Sequence, residues 1–288
     1  MLGINTNAPS LGAQMNLSKS AGSLETSIAR LSSGLRVNSA KDDAAGLAIA
    51  ERMTAQIRGF DVAARNANDG ISLLQVADGA LGKIGDNLQR MRELGVQAKN
   101  GTLNATDRSN LNREFTELAN EVGRVATGTT FNGNNIFAAA NKTVNLQIGS
   151  GNVASDTLGV NLTDTGAAAG NDLQTTLGGA TQAAIVTAFG GVDTVANATT
   201  AITKIDTTIN DITNLRATTG AGLSRLDQVV SSLETTSANL SSARGRIMDA
   251  DFAKETANLT RSQILQQAGT AMLAQANQLP NNVLSLLR

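Results

Sequence analysis

The side chains best placed for chemistry in this 288-residue chain are two adjacent carboxylates, Asp42 and Asp43, with Glu51 and Arg52 about two helical turns further on. Paired carboxylates can divide acid and base roles when their environments push their pKa values apart. The same residues at the entrance to an apolar, helix-periodic stretch do commoner work: an Asp caps the helix, and acids and bases four apart form surface ion pairs. No acid and base pair emerges from the four. His, Cys, Trp and Tyr are absent altogether. Without Cys or His there is no thiolate nucleophile, no His-dependent triad, no imidazole proton shuttle and none of the usual zinc or copper ligand sets. Carboxylate, Lys or Ser chemistry stays open on composition alone, but no catalytic, cofactor-binding or metal-binding residue can be named and no cofactor is expected.

What positions nothing catalytic must be built for something else, and the composition says what kind of scaffold it is. Apolar residues make up 41% of the chain, yet aromatics are only 2%, all of them Phe, so Ala, Leu, Ile and Val must fill the core. Cores of that kind belong to long helices. A net charge of −1 with 16% charged residues gives no basic stripe for a phosphate backbone, so nucleic acid is not an expected partner. No apolar run reaches membrane-span length, and Met1 to Asn7 lack the basic end and apolar run of a cleavable signal. Export, if it occurs, uses another route.

Proline marks the limits of the helical territory, since only Pro9 and Pro280 occur. Leu17, Ala21, Leu24, Ile28, Leu31 and Leu35 recur at steps of four and three, the spacing of a helical seam; Leu265, Ala268, Met272, Ala276, Leu279, Val283 and Leu286 nearly repeat it at the other end. Each stripe is exposed unless it pairs. Between them, residues 43–99 carry one apolar face, enough for a rod of about 85 Å, with Gly70, Gly79, Gly82 and Gly85 as points of close packing or kinking. A shorter helix follows, with Asp107 as its cap and Gly128 near its end. From Ile202 to Ile247 a single 3/4 register persists, with Arg216, Thr219, Ser237 and Arg244 as polar seam residues that fix how it packs.

The middle of the chain departs from helix. Val144, Leu146 and Ile148 alternate, then Leu158, Val160 and Leu162 after a Gly, Ser and Asn loop, which predicts a β-hairpin. Residues 151–200 turn to Gly, Ala, Thr and Asn without Lys, Arg or Glu, and read as a surface excursion with little core. The expected fold is mainly α: a long antiparallel helical bundle or coiled coil with paired terminal helices and a small β-hairpin. Its parts are 1–42 with 250–288 as an inner pair of terminal helices, 43–165 with 200–249 as the bundle plus hairpin, and 166–199 as a small variable excursion with no large outer domain.

Leu31-Ser32-Ser33-Gly34-Leu35-Arg36-Val37-Asn38-Ser39-Ala40-Lys41-Asp42-Asp43-Ala44-Ala45-Gly46-Leu47 resembles the N-terminal signature of bacterial flagellins. Ser262 to Thr270 and Ala274 to Leu287 are similar to the flagellin terminal helix, with shorter agreement at Thr130 to Gly133 and Ala243 to Phe252. The resemblance covers roughly 1–165 and 200–288. It implies a structural subunit that polymerises into the bacterial flagellar filament used for swimming, located outside the cell. Leu17, Leu24, Ile28, Leu31, Leu35, Leu265, Met272, Leu279, Val283 and Leu286 would then pack the filament core. The implied partners are further copies of the chain, a flagellin chaperone on the C-terminal helix, the flagellar type III export apparatus, and the filament cap and hook-associated proteins.

In members sensed by the innate-immune Toll-like receptor, a Leu-Gln-Arg motif, a nearby Arg-Glu-Leu and a Glu on the next helix form the contact. Here Leu88-Gln89-Arg90, Arg92-Glu93-Leu94 and Glu114 match, which makes Gln89, Arg90, Leu94 and Glu114 the implied receptor residues, with Leu94 filling an apolar pocket. Gly95 stands where Ala is common, a departure that bears on the local rigidity of the helix. A hook-filament junction protein is the alternative, since it shares similar terminal helices. A protease carried in a central insertion would need metal-binding histidines, which this chain lacks. A free-standing coiled-coil scaffold would show one continuous register instead of two terminal matches.

Overall fold

The computed structural model describes residues 7–137, 143–162 and 182–285, with backbone alone at 182–183 and 279–285. Its elements in order are α1 (Ala8–Ser33), α2 (Ala44–Ala98), α3 (Ala105–Gly128), β1 (Thr130–Phe131), β2 (Asn134–Asn135), β3 (Thr143–Gln147), β4 (Thr157–Asn161), α4 (Gln182–Phe189), α5 (Val195–Met248) and α6 (Phe252–Ser285). The chain divides into two compact units, one of residues 1–57 with 238–288, the other of 58–237.

The larger unit holds the main core. Leu74, Leu81, Ile84, Leu88, Met91 and Leu94 line one face of α2 and are almost completely buried, as the 3/4 spacing requires. Facing them are Phe115, Ala119 and Val122 of α3 and Ala198, Ala201, Ile205, Ile212, Leu215 and Leu226 of α5. α2 and α5 run antiparallel, since the α5 partner moves back as the α2 position advances: Asp61 accepts from Ser237, Asp78 pairs with Arg216, and Arg92 pairs with Asp206. Of the expected polar seam residues, Arg216 and Ser237 link α5 to α2 there. Arg216 Nε lies 2.9 Å from Asp78 Oδ1. The buried Thr219 hydroxyl donates to its own helix at Leu215 O, 2.8 Å away. In the smaller unit Arg244 Nη1 contacts Thr54 Oγ1 at 3.4 Å.

α2 is unbroken through its glycines. At Gly70 any Cβ would run into Leu146 of the hairpin, and at Gly95 it would come within 2.9 Å of Ile202 Cγ1 on α5. Both are therefore points of close approach, and the helix continues through Gly95. The loop into α3 corrects another expectation: Asn104, not Asp107, is the N-cap. Asn104 Oδ1 accepts from Asp107 N at 2.8 Å while Asp107 Oδ2 accepts from Asn104 N at 3.2 Å, a capping box that satisfies two otherwise orphaned amides.

β3 and β4 form the expected antiparallel hairpin, with Val144 opposite Val160 and Leu146 opposite Leu158. Leu158, Val160 and Leu162 point into the core. A second, smaller ladder, β1 with β2, turns at Asn132 and Gly133, which adopt φ of 49° and 76°. Asn and Gly are the pair that tolerates two successive positive φ values. The excursion expected to carry little core is partly core. Within its described residues, Ile185, Phe189 and Val192 are buried, α4 packs on α3, and Val192 N donates to Asn112 Oδ1 at 2.7 Å. α5 begins at Val195, ahead of the expected 200.

Replacing Asn104 with Ala should lower the unfolding free energy by about 1 kcal/mol, and Phe115→Ala by about 3–5 kcal/mol. Urea denaturation of the full chain followed by far-UV circular dichroism checks both.

Candidate functional site

The candidate site is the pair formed by α1 and α6, which bring the two ends of the chain together. Their approach is close because the seam is built of small residues: Gly269 sits against Leu17, where a Cβ would lie 3.3 Å from Leu17 Cδ1. Asn7 caps α1 by accepting from Ser10 N at 3.1 Å, and its amide donates across the seam to Ala276 O at 2.8 Å. Ser10 Oγ reaches Asn277 Oδ1 at 2.8 Å. At the other end of the seam the turns flanking α1 and α6 clasp each other: Arg36 N donates to Met248 O at 2.6 Å, Ala250 N to Gly34 O at 2.9 Å, and Leu35 bridges to Asp249. Gly34 permits this turn by adopting φ of 72°.

Inside the seam lies a polar cluster that the apolar periodicity did not reveal. Glu255 is buried on α6; Arg30 Nη1 donates to its Oε1 at 3.0 Å, and Ser27 Oγ to its Oε2 at 3.1 Å. The signal for it in the sequence is scarcity. α1 carries only Lys19, Glu25 and Arg30, and α6 only Lys254, Glu255 and Arg261, so each charge on these helices has a reason to be there. Burial acts to raise the Glu255 carboxyl, but hydrogen bonds from Arg30, Asn258 and Ser27, with the Arg30 charge, outweigh it and hold the group below its ordinary value.

The expected filament-packing residues divide. Leu17, Leu24, Leu31 and Leu35 are half-buried, while Ile28 is 51%, Leu265 51% and Met272 64% exposed. Leu11, Met15 and Ile264 are exposed as well. The α1–α6 contact thus uses one side of each helix and leaves large apolar side chains on the others. The side chains of Leu279 and Val283, and Leu286 altogether, lie outside the described residues, as do Met1 to Thr6.

The residues implied in receptor contact also divide. Gln89, Arg90 and Glu114 are exposed on adjacent helices, and Arg90 is held by Glu114 at 2.8 Å and Glu93 at 2.9 Å. Leu94 is 1% exposed and belongs to the core between α2 and its neighbours, so it cannot fill a pocket on another protein. The hydrogen bonds that Arg90 donates to Glu114 and then to Glu93 raise its guanidinium above its ordinary value. Of the four residues first considered for chemistry, Asp43 accepts from Gly46 N at 2.8 Å as a helix-entry cap, and Asp42 accepts from Ser39 and Asn38. The Ser39 hydroxyl chiefly lowers the Asp42 carboxyl. Among the described residues Glu51 and Arg52 form no ion pair, contrary to expectation; Arg52 Nε instead donates to Ala48 O at 3.3 Å. Among the described residues no helix is long and apolar enough to cross a membrane, and no group of three or more His, Cys, Asp or Glu is placed to hold a metal ion.

Because the folded Glu255 carboxyl lies below its unfolded value, its contribution is fully present above about pH 4.3 and is lost as the pH falls through the folded value. Glu255→Gln should weaken the α1–α6 pairing by about 1–3 kcal/mol near neutrality and flatten its loss on acidification. Amide exchange of residues 20–33 and 252–265, corrected for intrinsic rates, measures both.

Residues 4–142 match the family model of the bacterial flagellin N-terminal helical region, and 202–287 that of the bacterial flagellin C-terminal helical region. The chain is 42% identical over 287 residues to a flagellin of Halalkalibacterium halodurans, covering 99% of each chain. It is 35% identical to flagellin A of Vibrio cholerae over 377 aligned positions, covering 100% of each, so that relative carries sequence this shorter chain lacks. The crystal structure of Bacillus cereus flagellin aligns at 36% identity with a TM-score of 0.47, covering 59% of this chain and 88% of that one. With α1 and α2 inside the first family match and most of α5 and α6 inside the second, the chain belongs to the bacterial flagellin family.

Proposed function

We propose that this chain is the structural subunit that polymerises into the bacterial flagellar filament and so serves swimming. The observation that carries the reading is the α1–α6 pair: it is internally hydrogen-bonded, yet it leaves Leu11, Met15, Ile28, Ile264, Leu265 and Met272 exposed. A solvated Leu, Ile or Met gains roughly 1.5–3 kcal/mol when fully buried, and further copies of the same helices in a polymer would supply the apolar face that these six lack. Ordering of the termini and polymerisation are then coupled. Repetition of a head-to-tail contact whose rotation does not close gives an open helical tube.

In this reading 1–42 with 250–288 form the inner layer and 43–165 with 200–249 the next layer outward, with no large outer domain between them in sequence. The chain has no enzymatic role, and its filament lies outside the cell. A chain without disulfides passes unfolded through the flagellar export apparatus; a chaperone covers 265–287 until then, and the filament cap and hook-associated proteins meet the growing polymer at its ends. Gln89, Arg90 and Glu114 form the surface available to an innate-immune receptor, with Arg90 held in place by Glu114. Nothing specific favours a hook-filament junction role.

Purified full-length chain, seeded or salted out, should give long uniform tubes in negative-stain electron microscopy, whereas chains lacking 1–35 or 260–288 should not. Equal polymerisation by the truncated chains would remove the inner layer from the account. Short caps or rings from the full chain would point to the junction role.

A further inference from the structure

The six charged side chains of α1 and α6 do not balance within one copy. Glu255 is taken by Arg30. Glu25 has no hydrogen bond or ion pair among the described residues, is exposed, and stands two positions from Ser27, which places it on the side of α1 turned away from α6. In contrast, Arg30 and Arg261 line one groove of about 380 Å³ along the flank of the α1–α6 seam, with the hydroxyl residues Ser23, Thr26 and Ser262. Among the described residues Arg261 hydrogen-bonds only to Asn258 of its own helix, at 3.4 Å, and Arg30 Nε has no hydrogen-bond partner. Two guanidinium groups against one carboxylate leave the groove one positive charge in excess. Nε itself is shielded from solvent, so an incoming acceptor would meet the partly exposed remainder of the Arg30 guanidinium and Arg261.

We propose that this groove is the docking site for the Glu25 carboxylate of a second copy of the chain. The inference rests on the filament reading and deepens it by naming a charged contact within the inner layer. Charge complementarity selects the occupant. Glu25 is the one carboxylate on the paired helices without a partner, and it faces outward, toward where another copy must pack. The groove offers it fork-shaped donors and hydroxyls, which recognise a carboxylate better than the isolated ammonium groups of Lys19 and Lys254. The contact sets the register of one copy against the next, which the small and aliphatic side chains around it specify only weakly.

The test uses full-length chain in seeded polymerisation at low ionic strength, reading the critical concentration. Glu25→Gln and Arg261→Gln should each raise it about 5- to 10-fold, and the double variant should raise it no further. Glu25→Arg should block growth on wild-type seeds. The exchanged pair, Glu25→Arg with Arg261→Glu, should recover growth on its own seeds to within about 3-fold of wild type. Single variants that grow as wild type does, or an exchanged pair no better than Glu25→Arg alone, overturn the proposal while leaving the filament reading intact. Failure of the wild-type chain to polymerise at all sinks both, and is distinguished by that control.

Discussion

Two helices packed together have no interior. Each can turn only one stripe toward its partner, so a pair leaves the rest of both surfaces in water. This constraint governs the ends of the chain. α1 and α6 meet along Ser10, Leu17, Ser27, Glu255, Ser262 and Ala276, a seam of small and polar residues, while Leu11, Met15, Leu265 and Met272 stay outside it. The residues with the most apolar area to bury are the ones the single chain leaves uncovered. In the proposed filament, energy from such side chains becomes available where other copies cover them, and the ends of the chain are then ordered together with the polymer.

The larger unit escapes the constraint by adding elements. α2, α3, α4, α5 and both small ladders share one core, in which Leu74, Leu81, Leu88, Phe115 and Leu215 are sealed. Each addition covers a stripe that a two-helix contact would have left open. Leu158, Val160 and Leu162 of the hairpin lie in that core, and Ile185, Phe189 and Val192 in and after α4 join it from beside α3. Polar pairs on the rim, Arg216 with Asp78 and Arg92 with Asp206, add little stability because both partners are exposed. Their use is to penalise a slipped register between long helices whose Ala-rich faces would otherwise tolerate one.

How much of this was legible in the sequence depended on the kind of signal each element leaves. Periodic apolar stripes marked the long helices, because the 3.6-residue repeat is imposed by backbone geometry and survives in composition, but they did not mark the α1–α6 seam, since Ile28, Leu265 and Met272 of the stripes stay exposed. The β3–β4 hairpin was legible for the same reason at a period of two. The short ladder at 130–135 was not, since two-residue strands are too brief for a period to show. Nor was α4, whose eight residues lie in a stretch dominated by Gly, Ala and Thr, so that Ile185 and Phe189 looked isolated until tertiary contact with α3 gave them a purpose. Leu94 failed differently. A motif placed it at a contact, but its position in the α2 repeat, three residues past Met91 and six past Leu88, put it on the buried face. There the periodicity was the better guide than the resemblance.

Buried charge was the least legible feature, and the reason is physical. Glu255 satisfies no period; it lies in the seam because Arg30 and Ser27 arrive from α1 to meet it. A buried carboxylate supported in this way gains little over a well-packed apolar pair, but removing one partner leaves an uncompensated charge. Such a group punishes misalignment more than it rewards alignment. The terminal helices therefore divide the labour: large aliphatic side chains supply affinity that is nearly indifferent to register, and a few charges supply the register. With so few charged side chains on the two helices, each one carries a disproportionate share of the specificity with which copies of this chain must meet.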